Sequence, residues 1–165
     1  MTRRRWIVIV LVGIVAAVAT TAVLYRDIPV GKRIPGLQKP EKLVLYSIDG
    51  TDDSEANRRA LQAASEEDFA GYPVLGKIEF TSQKERDHLI AELQNAVVYP
   101  DGMPNKCFWP RHAILAVENG KTFEIVICFQ CRQYMLNGKG FPLISKRPET
   151  EFNDYLRRHN IPIAP

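Results

Sequence analysis

Three cysteines and a histidine fall between residues 107 and 131: Cys107, His112, Cys128 and Cys131. Three thiols and an imidazole are, by count, a tetrahedral zinc set. In an oxidising compartment three cysteines would instead leave one disulfide and one free thiol. Either chemistry requires the sulfurs to meet, so the elements that carry them decide between the alternatives.

Asn119-Gly120 predicts a tight type I′ hairpin joining strands at His112–Glu118 and Lys121–Leu136, because both residues tolerate positive φ. With those two residues in the turn, Glu118 pairs with Lys121, His112 with Ile127, Arg111 with Cys128 and Phe108 with Cys131. Side chains alternate faces along a strand, so Cys128 and Cys131 are expected on opposite sides, about 10 Å apart. Cα atoms more than about 7 Å apart cannot be bridged without backbone movement. The expectation is therefore no Cys128–Cys131 disulfide and no shared metal. Cys131 falls on the same face as Ile114, Phe123, Ile125, Ile127 and Phe129, where it reads as a small buried hydrophobe. His112 shares that face but lies about four residues away across the ladder, out of ligand range. A thioredoxin-type Cys-x-x-Cys opens a helix, whereas this one falls within a strand.

Pro110 cannot donate to a ladder and marks a bulge or strand start. Upstream of it the register is open, and Cys107 could fold back onto Cys128 or Cys131. Three readings stand side by side: structural cysteines, which the pattern favours, a Cys107 disulfide, or a metal or redox site at Cys107, His112, Cys128 and Cys131. Trp109 and Arg111, on the mixed face with Cys128, Glu124 and Gln130, form a candidate binding patch, since Trp and Arg are enriched at binding hot spots.

The string Cys107-Phe108-Trp109-Pro110-Arg111-His112, followed by Cys128-Phe129-Gln130-Cys131, is similar to one in uncharacterised bacterial proteins with an N-terminal hydrophobic segment. That resemblance implies no activity and brings no catalytic residue to this chain. The run Leu43–Ile48 followed by Asp49-Gly50-Thr51 resembles the first motif of haloacid-dehalogenase-like phosphatases. The nucleophilic aspartate of that motif would fall at Ser47, so a turn at Asp49-Gly50 is expected instead. Asp49, Asp52, Asp53 and Glu55 supply hard oxygen ligands but lack the spacing of an EF-hand loop. They read as helix caps and first-turn acids.

The surrounding elements predict an α+β domain: about five strands in a mostly antiparallel sheet ending in a β-meander, packed by two or three helices. Strands are expected at Leu43–Ile48 and Val74–Phe80, and again at Phe141–Ser145 after the meander's hairpin. A short helix is expected over 55–64. Ser82 and Glu85 form a capping box that opens a helix to Val98, with Leu89, Ile90, Leu93 and Val97 on one stripe. A last helix over Glu149–His159 presents Phe152, Tyr155 and Leu156.

Ahead of this domain, Arg3-Arg4-Arg5 precede an apolar run from Trp6 to Leu24, long enough to span about 28 Å as a helix. The expected organisation is a basic flank and transmembrane signal anchor over 1–25, a Pro/Gly-containing stalk over 26–41, and one domain over 42–165. The cationic flank places the N-terminus in the cytoplasm and the domain outside. Secretion after cleavage near Ala19 is the rival, with Ala17-Val18-Ala19 as the site. The formal net charge of +3 resides in the arginine triplet, so a neutral domain argues against nucleic acid as a partner.

Taken together, these residues predict a membrane-tethered extracytoplasmic accessory or interaction module. It would have no catalytic activity and no cofactor, contacting the membrane through residues 6–24 and a protein partner in the cell envelope. The alternative is a metal-binding (zinc) or thiol-redox envelope protein built on the cysteine–histidine cluster.

Overall fold

The computed structural model describes residues 33–50 and 67–165. The expected anchor, the helix over 55–64, and Asp52, Asp53 and Glu55 lie outside the described residues. Among the described residues no helix is long and apolar enough to cross a membrane.

The described strands are β1 (Lys42–Ile48), β2 (Asp68–Phe69), β3 (Tyr72–Glu79), β4 (His112–Glu118), β5 (Lys121–Cys128) and β6 (Gln133–Leu136), with helices α1 (Gln83–Val98) and α2 (Glu149–Arg158). They give an α+β fold with one antiparallel sheet in the order β2-β3-β1-β4-β5-β6. β1 lies between β3 and β4, which explains its mostly apolar run: a strand buried on both faces has no solvent side to alternate with, and its one buried polar side chain, Ser47, donates to the Pro162 carbonyl. Leu43 and Leu45 face a large core shared with Leu89, Leu93 and Val97 of α1 and Phe152 and Leu156 of α2. Val44, Tyr46 and Ile48 face a smaller cluster with Phe69, Ala113 and Val126.

The Ser82 hydroxyl accepts the Glu85 N–H at 3.4 Å, and α1 begins there as the capping pattern requires. Asn119 and Gly120 adopt φ of 52° and 68°, and the β4–β5 register runs from Glu118↔Lys121 to His112↔Ile127 as expected. A further hairpin, β2–β3, turns through Ala70 and Gly71 at φ of 53° and 87°.

Three expectations are corrected. β5 stops at Cys128 instead of running to Leu136; residues 129–132 turn, with Arg132 at φ 57° donating its N–H to the Phe129 carbonyl at 3.1 Å. The run over 141–145 is not a strand and makes one isolated bridge, Leu143 to Gln133. Pro142 has no N–H for a ladder, and the segment is held beside β6 by Tyr134 N–H to the Pro142 carbonyl and Ile144 N–H to the Arg132 carbonyl, both 3.1 Å. Finally, residues 33–41 belong to the packed domain and not to a stalk. Ile34 and Leu37 are buried in the large core, and the Gln94 carboxamide brackets the Ile34 backbone, accepting its N–H at 3.0 Å and donating to its carbonyl at 2.9 Å.

Candidate functional site

The turn after β5 redirects the chain so that Cys128 and Cys131 meet. They form a disulfide with Cα atoms 5.1 Å apart, which overturns the expectation of opposite faces. That expectation assumed a strand continuing through both residues; alternation of faces ends where β5 ends, at the Cys128↔Gln133 pair. Cys131 N–H donates to Cys128 Sγ at 3.1 Å, so the turn also directs a backbone dipole at the bridge.

Cys107 arrives from the other side. The loop between α1 and β4 lies along the cysteine turn: Asn105 N–H donates to the Cys131 carbonyl at 3.0 Å and its carboxamide donates to the Gln130 carbonyl at 2.8 Å. The Arg132 guanidinium hydrogen-bonds the Asp101 carbonyl, and Gly102, at φ 75°, leaves room for it where a Cβ would collide. This docking sets the Cys107 thiol 3.3 Å from Cys131 Sγ. Trp109 N–H donates to the same sulfur at 3.4 Å. Cys131 and Cys128 are 0% and 1% exposed, whereas Cys107 is half-buried and free. One disulfide and one thiol therefore share a single centre with a graded accessibility.

The other sequence-predicted residues divide around it. Trp109 joins the centre through its backbone and exposes 42% of its surface. Arg111 does not. Its guanidinium Nη2 hydrogen-bonds the Pro165 carbonyl, and its buried Nε has no hydrogen-bond partner. His112 is committed elsewhere: its Nε2 donates to Asn153 Oδ1 at 2.9 Å, and its ring packs edge-on to Phe129 and Phe152. Burial holds its pKa down at about 4 against an ordinary 6.5, the neighbouring Arg111 charge adds to the depression, and the Asn153 bond opposes it. A neutral, hydrogen-bonded imidazole here serves the core. Among the described residues no group of three or more His, Cys, Asp and Glu side chains is arranged to hold a metal ion.

Residues that sequence reasoning missed complete the surroundings. Phe108 and Phe141 meet edge-on at 4.9 Å, and Phe141, Leu143 and Met103 are exposed. One signal was readable in advance: the run Lys121–Leu136 exceeds the roughly 3–10 residues of ordinary strands, so a break within it was due.

No protein-family model matches this chain, and no curated protein or solved structure matches it. Its chemistry rests on its own geometry.

Proposed function

We propose that this chain is a thiol–disulfide exchange protein whose working groups are Cys107, Cys128 and Cys131, held at the outer face of the cell membrane by residues 6–24. The observation that carries this reading is the 3.3 Å approach of the Cys107 thiol to a sulfur that is already half of a disulfide. Exchange proceeds by attack of a thiolate on a disulfide sulfur. Here the Cys107 sulfur bonds to Cys131 Sγ, the Cys128–Cys131 bond breaks, and its electron pair leaves on Cys128. The proton given up by Cys107 ends on Cys128, so no external oxidant or reductant is consumed. The Cys131 N–H, 3.1 Å from Cys128 Sγ, is positioned to donate to the departing thiolate.

An extracytoplasmic location, the topology read from the arginine flank, is the compartment in which such a bridge persists. A second reading is a protein-binding accessory module without sulfur chemistry, favoured by the exposure of Trp109.

Disulfide mapping of the full chain separates them. The protein is isolated from an oxidising compartment, held in a glutathione redox buffer, acid-quenched, alkylated, digested and analysed by mass spectrometry. Exchange predicts both Cys128–Cys131 and Cys107–Cys131 peptides, with only the former in Cys107→Ser. Three free thiols on isolation, or a Cys128–Cys131 bridge that never moves, would defeat the exchange reading and leave the binding module.

A further inference from the structure

We infer that the substrate of this centre is a polypeptide dithiol with apolar side chains beside its cysteines, oxidised by way of Cys107. The inference rests on the exchange reading and adds to it a route and a substrate class.

The route follows from burial. Both sulfurs of the resident disulfide are closed to solvent, at 1% and 0% exposure for Cys128 and Cys131, so an external thiol cannot reach either. Cys107 is the accessible sulfur of the three, and it touches Cys131. Internal exchange moves one end of the bond onto Cys107 and so brings it to the surface. A thiolate of the partner then bonds to Cys107 Sγ, the Cys107–Cys131 bond breaks, and Cys131 leaves with the electron pair and takes a proton. The partner's second thiolate attacks its own sulfur in that mixed disulfide, closing a disulfide in the partner and releasing Cys107. Two partner thiols give up two electrons and two protons; Cys128 and Cys131 receive them and become thiols.

The substrate class follows from what surrounds Cys107. Trp109, two residues on, exposes 42% of its surface; Phe141, whose ring meets that of Phe108 next to Cys107, exposes 55%. Leu143, bridged to Gln133 just beyond the cysteine turn, exposes 37%, and Met103, in the loop that Asn105 pins to Cys131, exposes 84%. Apolar exposure on the segments that flank Cys107 and the cysteine turn marks an interaction surface. A tripeptide thiol such as glutathione carries no apolar side chains to cover these residues, whereas a polypeptide presents its cysteine together with apolar neighbours. The Cys107 thiol, borne by the same segment as Trp109 and in contact with Cys131 of the resident disulfide, specifies that the occupant carries thiols.

The test uses the full chain in lipid nanodiscs, in its disulfide form and without oxygen. Two reduced synthetic peptides share a Cys-Gly-Gly-Cys core, one flanked by Leu and Phe, the other by Ser. Peptide oxidation is followed by acid quench, alkylation and mass spectrometry, with the chain's own disulfides mapped in the same samples. The apolar peptide is expected to be oxidised about tenfold faster, equivalent to about 1.4 kcal/mol of added binding. That ratio should fall toward one in Phe141→Ser, and neither peptide should be oxidised by Cys107→Ser. Equal rates for the two peptides overturn the substrate class. Oxidation by Cys107→Ser at the unsubstituted rate overturns the route. If neither peptide is oxidised while the bond still moves between Cys128 and Cys107, the inference falls and the exchange reading stands; if the bond does not move at all, both fall.

Discussion

Replacing His112 by leucine converts one buried titration into a stability measurement. The imidazole is buried and its pKa lies at about 4 in the folded protein, against 6.5 when exposed on unfolding. Below pH 6.5 the unfolded chain takes up a proton that the folded chain refuses. The stability associated with neutral His112 is thus fully present above pH 6.5 and is lost as the pH falls toward 4. Between pH 7 and pH 5 the unfolded state gains about 2 kcal/mol from this proton and the folded state gains almost nothing, by linkage. In His112→Leu the proton site is gone, although the Asn153 hydrogen bond is lost as well. The variant is therefore less stable at pH 7, and its deficit shrinks by about 2 kcal/mol by pH 5. For a urea m-value of about 1–3 kcal/mol/M, the gap between the two denaturation midpoints closes by roughly 1 M. Urea unfolding followed by far-ultraviolet circular dichroism at the two pH values reads this directly, because all other titrating groups are common to both proteins. A midpoint gap that stays constant from pH 7 to pH 5 would refute the reasoning.

Three further perturbations test other parts of the structure. Gln94→Leu strips both hydrogen bonds from the Ile34 backbone and leaves that peptide's N–H and carbonyl unpaired, which should lower unfolding free energy by about 1–3 kcal/mol per orphaned group in a denaturation series. Gly36→Ala pushes a Cβ to 2.1 Å from the Phe123 ring at a φ of 80°; it should cost about 1–3 kcal/mol, and a double-mutant cycle with Phe123→Ala should recover the part due to the clash. Asn105→Ala frees the loop bearing Cys107 from the Gln130 carbonyl. It should reduce the Cys107–Cys131 fraction in disulfide mapping about fivefold, as expected for about 1 kcal/mol of lost positioning, with little change in melting temperature.

The register of the β4–β5 hairpin was legible because Asn119-Gly120 is a turn whose residue types match its positive φ values. Its end was not. Phe129-Gln130-Cys131-Arg132 contains neither glycine nor proline, and Arg132 adopts φ 57° with no residue-type signal for it. One unmarked turn therefore concealed the meeting of Cys128 and Cys131, while the identity of the three cysteines as the chemistry-bearing residues was plain. The β2–β3 hairpin was hidden in the same way, since Ala70 at φ 53° is an unusual turn residue. At 33–41 the error ran in the opposite direction. Pro35, Gly36 and Pro40 read as a spacer, but Ile34 and Leu37 are core residues, and the prolines and glycine shape a segment that packs against α1. The helices were the easiest elements, because Ser82 and the apolar stripes of α1 and α2 match the helical period.

The spacing of the sulfurs ties bond position to chain topology. Cys128 and Cys131 are three residues apart, so their bridge closes a minimal loop and restrains the unfolded chain about half as much as a bridge over 24 residues would. Cys107 and Cys131 are 24 residues apart and enclose the whole β4–β5 hairpin. Loop-closure entropy grows as the logarithm of length, so moving the bond from the short span to the long one lowers the freedom of the unfolded chain by about 1.8 kcal/mol. The same two electrons thus act as a loose clip in one location and as a staple around the sheet in the other. The domain's resistance to unfolding becomes a record of where its disulfide last stood.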